Sequence, residues 1–115
     1  MTVSERMVGE VAVLTLDGRF TMGASADGVS DKVRSLLQQG CKRFVVDLAG
    51  VAYMDSGGLG TLVQTYTTVA RQDGALALVH VTDRLRDLLV ITKLVTVFDC
   101  YDSEADALAG VAAKG

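Results

Sequence analysis

The chain reads Phe44-Val45-Val46-Asp47-Leu48 and, after a short connection, Met54-Asp55-Ser56-Gly57-Gly58-Leu59-Gly60. The first segment is short and almost continuously apolar, which predicts a strand buried on both faces of a sheet. After the second segment, apolar residues recur at the spacing of one helix face: Leu59, Leu62, Val63, Tyr66, Val69 and Ala70. Together the two segments predict a strand, a short connection and an amphipathic helix that begins close to Ser56.

The start of this helix has features of a phosphate-carrying site. Asp55 is suited to be the N-cap, since its carboxylate can accept bonds from free N–H groups of the first turn. Ser56 then stands where those groups and the helix dipole favour negative charge, although a serine there can also be no more than a capping hydroxyl. Gly57, Gly58 and Gly60 are expected to leave Ser56 accessible and to allow close approach of another backbone.

The remaining pattern predicts one domain over residues 1–115, because the chain has no proline, no linker and no repeat. Strands are expected at Val3–Val8, Val11–Leu16 and Ala75–Val81, and near Val95–Phe98. Helices are expected before Gly40, from about Ser56 to Gln72, from Asp83, and in the C-terminal tail. The order β-β-α-β-α-β-α-β-α predicts an α/β fold in which an antiparallel hairpin opens a mixed sheet.

Composition excludes several functional classes. The net charge is −3, from 11 basic and 14 acidic residues, and no basic run is present, so a nucleic-acid surface is not expected. No apolar segment approaches the length of a membrane span or resembles a signal peptide, which predicts a cytoplasmic protein without a membrane partner. Cys41 and Cys100 lack CxxC spacing and are expected to be reduced thiols, and with His80 they make no zinc site.

Two enzyme-like alternatives have little support. The segment around Ser56 lacks the first glycine of a G-x-S-x-G nucleophile elbow, and His80 is the sole histidine that could act as its base. A phosphoaspartate site at Asp47 would need an acidic pair after the first strand, and Asp17 has no acidic neighbour. No catalytic residue, metal ligand or cofactor-binding residue is predicted.

The strand and motif resemble those of STAS domains, the fold of bacterial anti-sigma-factor antagonists and of the cytoplasmic ends of sulfate transporters. The resemblance runs from about Val3 to Leu108. It is strongest in Val45–Leu48 and Tyr53–Gly60, while Leu16–Phe20 is a weaker match. It implies a mixed sheet of four to five strands with an N-terminal hairpin and about four α-helices.

In antagonists of this family, the serine after the aspartate is phosphorylated by a partner anti-sigma factor with a histidine-kinase-like ATP fold. By position, that serine is Ser56. Two residues depart from the family pattern: Gly57 replaces the usual hydroxyl residue, and Thr21 replaces a common acidic residue. Because the glycines allow a partner's backbone to come close, we expect a docking surface formed by the Ser56–Gly60 helix start and the nearby loop Arg19–Ala24. Its predicted contacts are Thr21, Asp55, Ser56, Gly57, Gly58 and Gly60.

The resemblance therefore implies a non-enzymatic switch, an anti-sigma factor antagonist that regulates sigma-factor-dependent transcription. Its partners would be an anti-sigma factor acting as a serine kinase, and a serine phosphatase. Phosphorylation of Ser56 would end binding to the anti-sigma factor. The alternative is a STAS accessory or scaffold subunit of a transporter or signalling complex.

Overall fold

The computed structural model describes residues 2–21 and 24–114, with the side chains of residues 24–27 and 114 left out. Residues 22 and 23 of the predicted docking loop therefore lie outside the described part of the chain. The described elements follow the predicted order: β1 (Thr2–Val8), β2 (Val11–Phe20), α1 (Ala24–Gln38), β3 (Arg43–Met54), α2 (Ser56–Arg71), β4 (Ala75–Val79), α3 (Asp83–Ile91), β5 (Asp99–Tyr101) and α4 (Glu104–Lys114).

The five strands form one mixed sheet in the order β1-β2-β3-β4-β5. The β1–β2 pair is antiparallel, and each of the following pairs is parallel. Gly9 has a φ of +61° in the turn of the hairpin, a conformation that glycine adopts without steric cost. The predicted α/β fold, a mixed sheet of four to five strands with an N-terminal hairpin and about four helices, is thus confirmed, and the described residues form five strands and four helices.

Two helical layers cover the sheet and explain why the first halves of its central strands are apolar on both faces. Leu14 and Val46 belong to the core under α1, α2 and α3, which also contains Leu62. Their neighbours Val13 and Val45 face the opposite way, into a smaller core that α4 closes with Ala107 and Val111. Alternate side chains of a strand point to opposite faces, so a strand covered on both sides has no polar face. None of the helices in the described residues is long and apolar enough to cross a membrane.

The central strands are longer than the sequence indicates. β2 continues past the expected end at Leu16 to Phe20, and β3 continues past Leu48 to Met54. The extra residues pair with one another, ending at Phe20 opposite Met54, with register shifts after Thr15 and Gly18. Half of the residues in each extension are exposed. The continuous apolar run, which predicts only the first part of each strand, therefore ends where one face of the sheet becomes accessible to solvent.

The strands near the C-terminus also differ from expectation. β4 ends at Val79, and His80 takes a φ of +58°, which removes it from the strand. The fifth strand is Asp99–Tyr101, whereas Val95–Phe98 forms the connection after α3. Phe98 packs edge-on against Tyr66 of α2, with ring centroids 5.4 Å apart. The apolar residues of this turn pack into the core, and hydrophobic periodicity alone does not distinguish such a turn from a short strand.

The paired ends of β2 and β3 fix the start of α2. The Asp55 amide donates to the Phe20 carbonyl at 3.3 Å. Gly58, in the first turn of α2, is buried against the same carbonyl. A Cβ on Gly58 would overlap the Phe20 carbonyl oxygen and lie 2.8 Å from its carbonyl carbon. This corrects the expectation that Gly58 admits a partner, because the backbone that approaches it belongs to β2.

We therefore expect Gly58→Ala to lower the free energy of unfolding by about 1–3 kcal/mol, because the methyl group must displace strand backbone. Gly60→Ala is the matched control in the same helix, since a Cβ there has nothing within 4 Å. It should leave stability unchanged or raise it by up to about 1 kcal/mol through helix propensity. Urea unfolding followed by circular dichroism measures both values, and equal stability of the two variants would contradict the packing described for Gly58.

Candidate functional site

The candidate site lies at the carboxyl ends of the parallel strands β2 and β3, where α2 begins. Ser56 is the first residue of α2 and is exposed. Ligands of open α/β sheets bind at this end because the helices that follow the strands point their N-termini there. The topology thus places the serine at an edge of the sheet that suits recognition.

Asp55 caps the helix as expected. Its backbone is extended, with φ −100° and ψ −176°, and its Oδ1 accepts a hydrogen bond from the Gly58 amide at 2.9 Å. Its main-chain oxygen accepts from the Leu59 amide at 3.0 Å. Within the described residues, the Ser56 hydroxyl makes no hydrogen bond. The cap is complete without Ser56, so its hydroxyl remains available for chemistry.

The electrostatics of the first turn favour an anion on Ser56. The Ser56 and Gly57 amides precede the first intrahelical bonds and have no acceptor within the helix. The first turn of α2 contains no acidic residue, and Arg71 stands in its last turn. A negative charge at such a terminus gains about 0.3–1 kcal/mol at an exposed site. Asp55 already supplies one negative charge beside it, which partly offsets this gain for a second.

The predicted contact residues are only partly brought together on the surface. Ser56 and Gly60 are exposed and, four residues apart, share one face of α2. Gly57 is half-buried, and Thr21 is half-buried directly after Phe20, the strand residue that bonds the cap. Gly58 is the exception because it is buried.

Arg19, the first residue of the predicted docking loop, and Tyr53 form a surface contact that the sequence did not identify. They are paired in the register of β2 and β3, and both are exposed. The Arg19 guanidinium carbon lies 4.5 Å from the centroid of the Tyr53 ring, a cation–π contact. Only the strand register places them together, and the shift after Gly18 that sets this register leaves no mark in the hydrophobic pattern.

The enzyme-like alternatives gain no support from the geometry. The His80 ring contacts Asp47, with Nδ1 and Oδ1 3.0 Å apart, and the same Oδ1 accepts from the Ala49 amide at 3.0 Å. Asp47 is therefore engaged within the fold, with a side chain 17% exposed, and His80 does not contact Ser56. The Asp17 carboxylate occupies the space where a Cβ on Gly50 would stand, so it packs against the backbone of β3.

The two cysteines are free thiols, and the described residues hold no group of three His, Cys, Asp or Glu side chains suited to a metal ion. Burial raises the pKa of the Cys100 thiol, and the positive charge of Arg86 opposes this only in part. A raised pKa keeps the thiol protonated at neutral pH, and the thiolate is the reactive form. Cys100 is thus a packing residue of the β5 region.

Comparison with known proteins gives consistent results. The family model of the STAS domain matches residues 3–107. An anti-sigma F factor antagonist of Paenibacillus polymyxa is 30% identical over 69% of this chain and 72% of its own length. An anti-sigma-B factor antagonist of Bacillus subtilis (strain 168) is 39% identical over 65% of this chain and 68% of its own.

The fold is also shared with a solved structure. The structure of the Bacillus cell fate determinant SpoIIAA in its phosphorylated form superposes with a TM-score of 0.75, covering 96% of this chain and 99% of the other at 19% identity. The family model, the two relatives and the five-stranded mixed sheet agree: this chain belongs to the STAS domain family.

Proposed function

We propose that this chain is an anti-sigma factor antagonist that binds an anti-sigma factor while the Ser56 hydroxyl is free, and that phosphorylation of Ser56 ends the binding. The observation that carries the proposal is an exposed serine at the start of α2 whose hydroxyl takes no part in the cap. The names of the two relatives, both antagonists of anti-sigma factors, support it. A single STAS domain acting in the cytoplasm is sufficient for this role.

The switch follows from charge rather than from refolding. A phosphate adds about −1.5 to −2 charges and three acceptor oxygens to Ser56. In the free protein this group stays in water at the positive end of α2, so folding is little affected. In a docked complex without a matching cation it must be desolvated, which costs several kcal/mol. Since about 1.4 kcal/mol is a tenfold change in affinity, this cost is enough to end binding.

The chemistry of phosphoryl transfer would belong to the partner. The anti-sigma factor would bring ATP and Mg²⁺, and this chain would supply a positioned hydroxyl. A serine phosphatase would restore the free hydroxyl and reset the switch. The proposed contacts of the partner beside the Ser56 hydroxyl are Thr21, Gly57 and Gly60, and Asp55 would orient the turn through its bond to the Gly58 amide. When the antagonist binds, the sigma factor would be released for transcription.

The phosphorylation site can be tested directly with the candidate anti-sigma factor and ATP, followed by mass spectrometry of the product. We expect phosphate on Ser56 and none on Thr61, Thr65 or Ser103. Thr65 is 4% exposed and donates to the Thr61 carbonyl, while the Ser103 hydroxyl accepts from the Asp106 amide. Transfer that continues undiminished in Ser56→Ala would refute the assignment.

The effect of charge is tested by Ser56→Asp. We expect binding to the anti-sigma factor to weaken at least about tenfold, while the free energy of unfolding changes by about 1 kcal/mol or less. Ser35→Asp is the control, since it adds the same charge to an exposed position of α1. Calorimetric titration and urea unfolding give the two quantities. Binding that is insensitive to charge at Ser56 would favour a constitutive scaffold subunit instead.

A further inference from the structure

The two edges of the sheet differ in length. At one edge β5 has three residues, whereas at the other edge β1 has seven, Thr2–Val8. In the part of the chain that the structure describes, β1 pairs with β2 alone. β1 contains no proline, and its register with β2 is continuous, without a bulge. Short strands, prolines and bulges are the usual means of blocking an open edge, and β1 has none of them.

The hairpin turn determines which backbone groups of β1 point outward. The turn has two residues, so Val8 and Val11 on either side of it form a hydrogen-bonded pair. Bonded and non-bonded pairs alternate along an antiparallel ladder. Val3, Glu5 and Met7 therefore direct their N–H and C=O groups away from β2. These groups make the open edge a template for another strand.

The charged side chains of β1 are matched within the chain. Glu5 accepts a hydrogen bond from Lys32 of α1 at 3.3 Å, and Arg6 forms an ion pair with Glu104 of α4. Free charges on an edge strand oppose pairing with a second strand. Here each charge has an opposite charge from a helix of the same chain, so this form of protection is reduced.

The sequence of β1 is self-complementary when two copies run antiparallel with Glu5 at the centre. A two-fold axis perpendicular to the sheet then keeps the same face of both copies on one side. Every residue of β1 has an opposite residue in this register, which places Val3 opposite Met7 and Ser4 opposite Arg6. The outward backbone groups of Val3, Glu5 and Met7 then form the hydrogen-bonded pairs.

The side chains beside the open edge also suit an apolar neighbour. Met7 is 50% exposed, and it lines a groove of about 490 Å³ between β1 and the end of α1, together with Leu36. In the antiparallel register, Val3 of the second copy lies beside Met7 on the face of this groove. The two opposed Glu5 carboxylates repel each other, and the Lys32 bonded to each of them offsets this cost.

We propose that β1 binds β1 of a second copy of this chain, so that two five-stranded sheets join into one. The occupant is a second copy because β1 itself supplies the backbone register, the apolar pairs and the matched charges. A single pair of strands gives a small interface, and small interfaces form weak, reversible dimers. Because the strands are antiparallel, the two Ser56 residues lie at opposite ends of the joined sheet and both stay accessible. The dimer is thus independent of the proposed phosphate switch.

Sedimentation velocity of the full chain over a range of concentrations tests the proposal. We expect the wild-type sedimentation coefficient to rise with concentration toward the value of a dimer. Glu5→Pro removes the outward N–H at the centre of the interface and should weaken association at least about tenfold. Glu5→Ala is the matched control, since it removes the same carboxylate but keeps the N–H, and it should associate within about threefold of wild type. Urea unfolding checks that both variants fold.

Cross-linking tests the register without a proline in the strand. Two Cα atoms of a bonded antiparallel pair are about 5.5 Å apart, a separation that a disulfide spans. Glu5→Cys should therefore form a covalent dimer in oxidised glutathione. Arg6→Cys should not, because Arg6 faces Ser4 and its two copies are displaced by about 7 Å along the strands. The wild-type chain, with Cys41 and Cys100 as free thiols, gives the background.

Other results would overturn the proposal. A wild-type chain that stays monomeric up to about 1 mM would exclude the dimer. Equal association of wild type and folded Glu5→Pro would place the contact away from β1. Cross-linking of Arg6→Cys in place of Glu5→Cys would contradict the register centred on Glu5. Association that Ser56→Asp abolishes and Glu5→Pro leaves intact would assign it to the surface around Ser56.

Discussion

One backbone carbonyl, that of Phe20, fixes the geometry on which the candidate site depends. It accepts a hydrogen bond from the Asp55 amide, and Gly58 packs directly against it. The first contact joins the end of β2 to the cap of α2, and the second sets how closely the first turn approaches the strand. Because both involve main-chain atoms of β2 and α2, they fix the backbone position of Ser56, which is exposed. The position of the serine is thus a property of the fold.

The parts predictable from sequence are those that local physics determines. Asp55 was expected as the N-cap because a carboxylate satisfies first-turn amides, and its bond to Gly58 confirms this. The buried strand at Phe44–Leu48 and the helix after Ser56 follow from apolar periodicity, and both are present. The mixed sheet follows from the order of the elements. In each case, residues close in sequence carry the information.

The parts that were not predictable depend on which strand residues face one another. The extension of β3 to Met54 exists because it pairs with β2, and the contact between Arg19 and Tyr53 arises from that register. Gly58 was interpreted as an opening for a partner because nothing in the sequence shows that Phe20 fills the space. The run Val95–Phe98 forms a connection instead of a strand, and Phe98 packs there against the ring of Tyr66. Tertiary contacts decided all of these.

The capped start of α2 and the exposed aromatic ring of Tyr53 beside it would give the proposed binding surface two independent physical terms. Apolar burial at Tyr53 would change little with charge, whereas the contribution of Ser56 to binding would change by several kcal/mol when a phosphate must be desolvated. A partner can therefore bind tightly through the first term and be released through the second. The proposed release would need no movement of α2, because neither its cap nor its contact with Phe20 uses the Ser56 hydroxyl. A domain whose proposed switch residue is exposed, as Ser56 is, can change its binding without losing stability.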